Sequence, residues 1–492
     1  MISDNPCKLT VRAIGIMSDF AHLTVCNGFF EDIAKGYECL EVWLPQGIYG
    51  ITLKLDGHVI KENIRLEGDT YHEFKTPPIY SSLVAEKFES SREYYTSNAV
   101  RYSKEPTVNS GISDGGSIFL FFRYTDFVSS QELNKERRPL GDGFSLLDGS
   151  RKVLYRLLGN NIKEDLYNGW MAFNAVLSEG LYYLHYSGRS PNPAWENDQG
   201  LPAREIPLQV FKSKNSWQTQ VFLTFGKGPI FPSMSIFIAP AEQGFNNNDE
   251  SNYKIDGVRH KFHNGVYYVP EKVLREFEQG QWTSPMKGLL AAYVYFNSPE
   301  NTYDNLFRNI LKDLPAILGE ETPDIKALQV LAAQYFKEPL PAVKISEPGM
   351  FLAGAKATIK ASIKQPDIIP DDSPMENIAD NLYCDMVWTS YLPDPLPLAE
   401  ITTANIADVI ERIIGSETSP EEIGKKLLNS RTVSTLLYYI DKLDNDTDIN
   451  DLAGRLQIPP NVVRKTISHI LSFSDSIKDI QQFNISKLKN LQ

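Results

Sequence analysis

Five groups of residues have types and spacings that could do chemistry. Gly111-Ile112-Ser113-Asp114-Gly115 has the spacing of a hydrolase nucleophile turn, which needs a strand before the serine and a helix after it so that Oγ stands on a strained bend. Here a polar stretch precedes and the strand-like Ser117–Tyr124 follows, so the order is reversed and a plain turn is expected. His260 and His263 lie three apart and could share a zinc ion, but Arg259 and Lys261 would repel it and no thiol or carboxylate clusters beside them. Cys26 and Cys39, with His22 and His58 near them in sequence, could form a thiol–imidazole pair; buried structural cysteine is the commoner outcome. Asp444-Asn445-Asp446-Thr447-Asp448 begins like a calcium loop, yet Ile449 replaces the glycine of the tight turn and Arg455 the bidentate glutamate. It reads instead as a polar turn with Asp448 capping a helix. The fifth group is Asn461, Arg464, Lys465 and His469, polar positions on an expected helix over 460–471. No phosphate-binding loop, dinucleotide glycine fingerprint or HExxH motif occurs. No catalytic residue, cofactor or metal site is therefore assigned, and a non-enzymatic chain is expected.

The elements that would position these residues divide the 492-residue chain. Residues 1–80 read as a β-sandwich. Leu9–Ile14 and Ala21–Val25 alternate as half-buried strands do, and Asp56-Gly57 is a hairpin turn before Val59–Leu66. Residues 81–116 read as a linker with a short helix around 82–95, rich in Ser, Asn, Glu and Gly. Residues 117–345 read as a second β-rich (α+β) domain, with strands at Trp170–Val176, Leu181–Tyr186, Ile206–Phe211, Thr219–Phe225 and Ser235–Ala239. Its Leu177-Ser178-Glu179-Gly180-Leu181-Tyr182 echoes Leu44-Pro45-Gln46-Gly47-Ile48-Tyr49, which convergent turn chemistry explains. Helical spacing appears at 324–331 and 353–363, and residues 346–399 form a helix plus a Pro-rich connector. Residues 400–492 read as an α-helical domain. Asp451–Leu456, a turn at Gln457-Ile458-Pro459, and Pro460–Leu471 make a helix-turn-helix-like unit over 448–471. The expected fold class is thus multidomain: an N-terminal β-sandwich, a second β-rich domain and a C-terminal all-α region carrying that unit.

Charge bounds the partners. Asp plus Glu number 62 against 49 Lys plus Arg, a net of −13, which argues against a chain coated in nucleic acid. Residues 371–446 hold 15 acidic and 5 basic side chains, whereas 448–492 hold 6 basic and 4 acidic. The helix-turn-helix-like unit could place Asn461, Arg464, Lys465 and His469 on DNA, or could dock protein. The first twenty residues lack an apolar leader block, the run Leu289–Phe296 falls short of the ~20 residues a bilayer span needs, and the four cysteines read as reduced thiols. No membrane association and a cytoplasmic location are expected. Arg92, Arg101 and Lys104 lie in the 81–116 stretch, where an extended linker would offer basic cleavage sites.

Several stretches resemble known families. Leu44-Pro45-Gln46-Gly47-Ile48-Tyr49 and the alternation after it resemble prealbumin-like sandwiches such as the PEGA and carboxypeptidase-regulatory modules, over residues 8–75. The 448–471 unit resembles winged-helix or sigma-like helix-turn-helix units. With the Trp217–Phe225 strand and Pro348-Gly349-Met350-Phe351-Leu352, the chain also resembles uncharacterised bacterial proteins that accompany caspase-like (CHAT) peptidases, over residues 8–365. That resemblance implies a non-catalytic partner or proteolytic substrate of such a peptidase, in a bacterial defence or signalling system. The alternatives are a DNA-binding transcriptional regulator, or a hydrolase whose site is not visible in sequence.

Overall fold

Alternation builds the sheets of residues 7–75. Strand β1 (Cys7–Ile14) buries Cys7, Leu9, Val11 and Ala13 and turns Lys8, Thr10 and Arg12 outward. It pairs antiparallel with β4 (Cys39–Leu44) and parallel with β7 (Thr70–Lys75), giving a three-stranded sheet. A second sheet runs β3 (Asp32–Tyr37), β2 (His22–Cys26), β5 (Gly47–Leu55), β6 (His58–Leu66). Leu23 and Val25 of β2, Ile51 and Leu53 of β5 and Phe74 of β7 share a core with the inward residues of β1.

In this computed structural model the chain is described over residues 6–393, apart from 16, 30, 56–57, 77–80, 85–92, 113–114, 126–138, 190–199, 212–216, 299–303 and 380, and beyond them at 449–450. The hairpin turn at Asp56-Gly57, the calcium-like Asp444–Asp448 stretch and, but for residues 449–450, the expected helical domain and its 448–471 unit lie outside the described residues.

Residues 116–240 also stack two sheets. One is β11 (Lys163–Asp165), β12 (Trp170–Leu177), β8 (Gly116–Tyr124), β15 (Trp217–Phe225), β16 (Ser235–Pro240); the other is β10 (Val153–Arg156), β9 (Phe144–Leu147), β13 (Gly180–Tyr186), β14 (Arg204–Val210). β8 and β15 are parallel neighbours buried along their whole length: β8 carries the apolar run Ile118–Phe122, while β15 also buries Gln218, Thr219, Gln220 and Thr224. The echoed turns make the same bond in both β regions. Tyr49 Oη donates to the Pro45 carbonyl at 2.9 Å, and Tyr182 Oη to the Ser178 carbonyl at 2.8 Å.

The 81–116 stretch departs from the expected extended linker. Helix α1 (Glu93–Lys104) occupies its middle third, later than the helix expected around 82–95. Tyr95, Ala99 and Ser103, four apart, face inward. Asn174 of β12 donates its amide to the carbonyls of Tyr102 and Ser103 at 2.9 and 2.8 Å, clamping the helix to the sheet. Upstream, the carbonyls of Ser81 and Ser82 accept from the buried Arg123 guanidinium at 2.7 and 3.3 Å. A guanidinium in a core needs such acceptors, and they tie this segment to β8.

From residue 250 the described chain is largely helical: α2 (Glu250–His263), α3 (Glu271–Gly280), α4 (Pro285–Asn297), α5 (Asp304–Leu318), α6 (Pro323–Phe336), α7 (Leu352–Ser362) and the short α8 (Pro374–Asn377). The β-sheets thus occupy the first 240 residues and helices follow them. α4 is buried from Pro285 to Tyr295 and forms the centre of the helical layer. The sandwich meets this layer at α2, where Gly257 leaves room for Met17 and Phe20, and Lys261 Nζ donates to the Phe20 carbonyl at 3.1 Å. Among the described residues no helix is long and apolar enough to cross a membrane.

Candidate functional site

The outward face of the β4–β1–β7 sheet is the best candidate. Register places Trp43 opposite Lys8, Thr10 between Glu41 and Tyr71, and Arg12 between Cys39 and Glu73. Period two sends all of these side chains to the same side of the sheet. Trp43 is 62% exposed and Tyr71 54%. Polar bonds hold the face in shape: Lys8 Nζ meets Glu41 at 3.0 Å, and Tyr71 Oη donates to Glu73 at 2.7 Å. The Glu73 bond raises the Tyr71 hydroxyl above its ordinary value, so it stays a neutral donor. Exposed Trp, Tyr and Arg on a rigid sheet are the residue types that dominate binding energy at protein interfaces.

A second polar cluster lies inside the fold. Glu205 of β14 is fully buried; its Oε1 takes bonds from Arg151 at 2.9 Å and pairs with His185 Nδ1 of β13 at 3.1 Å. Its Oε2 accepts from Tyr391 at 2.9 Å. Burial alone would raise this carboxyl, but the His185 and Arg151 bonds outweigh it and hold it below the usual range. Next to it, Arg204 makes a two-pronged pair with Asp385 at 2.8 and 2.7 Å, its guanidinium stacked over Phe231 and Tyr383. An imidazole–carboxylate pair is acid–base hardware. Here both carboxylate oxygens are engaged by side chains of the fold, and what they hold is the 381–391 segment against β14.

No protein-family model matches the chain, and no curated protein matches its sequence. Among solved structures it is similar to the Bacillus anthracis TIE protein, at 10% identity and a TM-score of 0.16, over 44% of this chain and 34% of that one. The chain spans about a third of that structure's length, and a likeness this slight assigns neither fold nor function.

Of the residues singled out from sequence, Asn461, Arg464, Lys465, His469 and Arg92 lie outside the described residues. Arg101 and Lys104 sit in the last turn of α1, Arg101 paired with Glu105 at 3.0 Å. The extended cleavage segment expected there is therefore replaced, over 93–104, by a docked helix. His260 and His263 end α2, and all four cysteines are unbridged. Among the described residues no group of three or more His, Cys, Asp or Glu is placed to hold a metal ion. Trp43 and Tyr71 belong to none of the five groups above, because neither stands in a catalytic or metal-binding spacing. The signal was present: Trp43 shares its strand face with Glu41, the polar side of an alternating strand.

Proposed function

We propose that the chain is a non-enzymatic interaction protein that docks a protein partner on the outward face of β4–β1–β7, the partner being a caspase-like peptidase of the CHAT class. The observation that supports this reading is the pair of exposed aromatics Trp43 and Tyr71, set on the two strands flanking β1 with Arg12 and Lys8 between them. Core-forming aromatics at a rigid, charge-rimmed surface supply binding energy without ordering cost. A CHAT-class peptidase from the same genome, purified in inactive form, should bind the full chain in biolayer interferometry. Trp43→Ala with Tyr71→Ala should weaken that complex at least tenfold while leaving the melting temperature within about 2 °C, as expected for surface changes. Absence of a complex with the unaltered chain, or equal affinity in the double variant, sinks the proposal. Intact-mass analysis with the active peptidase then separates a stable partner from a substrate.

A further inference from the structure

On the helical layer, an open cavity of about 550 Å³ lies where four helices and the 384–387 segment converge. The volume falls within the range of small-ligand pockets. One wall is aromatic: Phe296 of α4 and Tyr335 of α6 meet edge to face at 5.4 Å, and Phe262 and Tyr267 do the same at 5.6 Å. The other wall is the side of α7 that carries Lys356 and Lys360, one helical turn apart.

The electrostatics are unusual for this chain. It carries 62 acidic against 49 basic side chains, yet the cavity lining includes Lys356, Lys360 and His263 and no carboxylate. Both lysines are exposed, and neither meets an ion-pair partner among the described residues. Like charges one turn apart weaken a helix unless an anion sits between them. α2, α4 and α6 point their C-terminal ends here, and bare carbonyls would favour a cation. Some of those carbonyls are engaged within the fold: those of His260 and Phe262, Tyr293 and Tyr295, and Ala333 and Gln334 each accept an N–H from the chain near them, which lessens the pull on a cation. The charged side chains of the lining are those of Lys356 and Lys360, set among aromatic rings, the aliphatic side chains of Leu331 and Leu352, and the polar groups of Asn297, Gln334 and Cys384.

We infer that this cavity binds an organic phosphate with a flat aromatic body, of the nucleotide class, its phosphates held by Lys356 and Lys360 and its ring against Phe296 and Tyr335. The site is separate from the sheet face proposed for docking. The test is isothermal titration calorimetry of the full chain with ADP, and with adenosine and inorganic phosphate as the two halves of the probe. ADP should bind saturably and at least tenfold tighter than either half. Lys356→Gln with Lys360→Gln should weaken ADP at least tenfold with an unchanged circular-dichroism spectrum, and Trp43→Ala should leave ADP affinity unaltered. No saturable heat with ADP, equal affinity in the double lysine variant, or phosphate binding as tightly as ADP each overturns the inference.

Discussion

Tyr391 reaches back across 186 residues to Glu205, its hydroxyl on Oε2 at 2.9 Å, while the two backbones exchange N–H···O bonds of 3.0 and 3.1 Å. β14 is the edge of its sheet, and this bridge covers part of an edge that would otherwise offer unpaired groups to another chain.

Removing that hydroxyl tests the bridge. Tyr391→Phe leaves a buried carboxylate oxygen short of a donor, and the variant should lose about 1–3 kcal/mol in urea unfolding at pH 7. The Glu205 carboxyl is held below its unfolded value, so its contribution is present at neutral pH and lost as pH falls through the folded value. In Tyr391→Phe that acid loss should begin at higher pH. Identical acid limbs in the two proteins would show that the bond does not support the ionised form.

Asp324 should give the opposite pH dependence. Burial pushes its carboxyl up to about 6, although the N–H groups of Met350 and Phe351 and the Tyr293 hydroxyl all bond to it. A raised carboxyl value means that the fold favours the protonated form. Stability from this group is full below the ordinary carboxyl range and declines as pH rises through about 6, with a slope of at most ~1.4 kcal/mol per pH unit. Asp324→Asn should remove that slope. The check is the wild-type minus variant difference in unfolding free energy between pH 4 and 7, and a constant difference rejects the assignment.

The docked α1 makes a protease prediction. Trypsin requires an extended segment, so native chain should resist cutting after Arg101 and Lys104 while α1 stays on β12. Asn174→Ala deletes the two amide bonds to Tyr102 and Ser103 and should admit cleavage there. Intact-mass time courses decide it: an early wild-type fragment ending at Arg101 or Lys104 would falsify the docking.

The paired corner tyrosines should behave alike. Tyr49→Phe and Tyr182→Phe each delete one side-chain to carbonyl bond and should each cost about 0.5–1.5 kcal/mol. Thermal unfolding followed by circular dichroism measures both. A loss at one position and none at the other would show that the shared turn spelling hides different packing.

How much was legible in sequence depended on range. The alternation in β1 and the Gly-x-Tyr turns are local signals, and the structure reproduces them residue by residue. α1 lies later than its sequence suggests because Glu93–Lys104 is rich in Ser, Asn, Thr and Tyr, weak helix formers that tertiary bonds such as those of Asn174 hold against the sheet. α4 gives no helical stripe, since it is buried on every side. The Glu205–Tyr391 and Arg204–Asp385 pairs were beyond any local pattern, as was the convergence of three helix ends on one cavity.

The same bridge sets an order of events during synthesis. A ribosome adds roughly 5–20 residues per second, so β14 waits about 10–40 s for Tyr391 to be made. Throughout that interval the nascent sheet has an uncovered strand, and the crowded surroundings of the polysome are where a chaperone or a neighbouring copy would meet it.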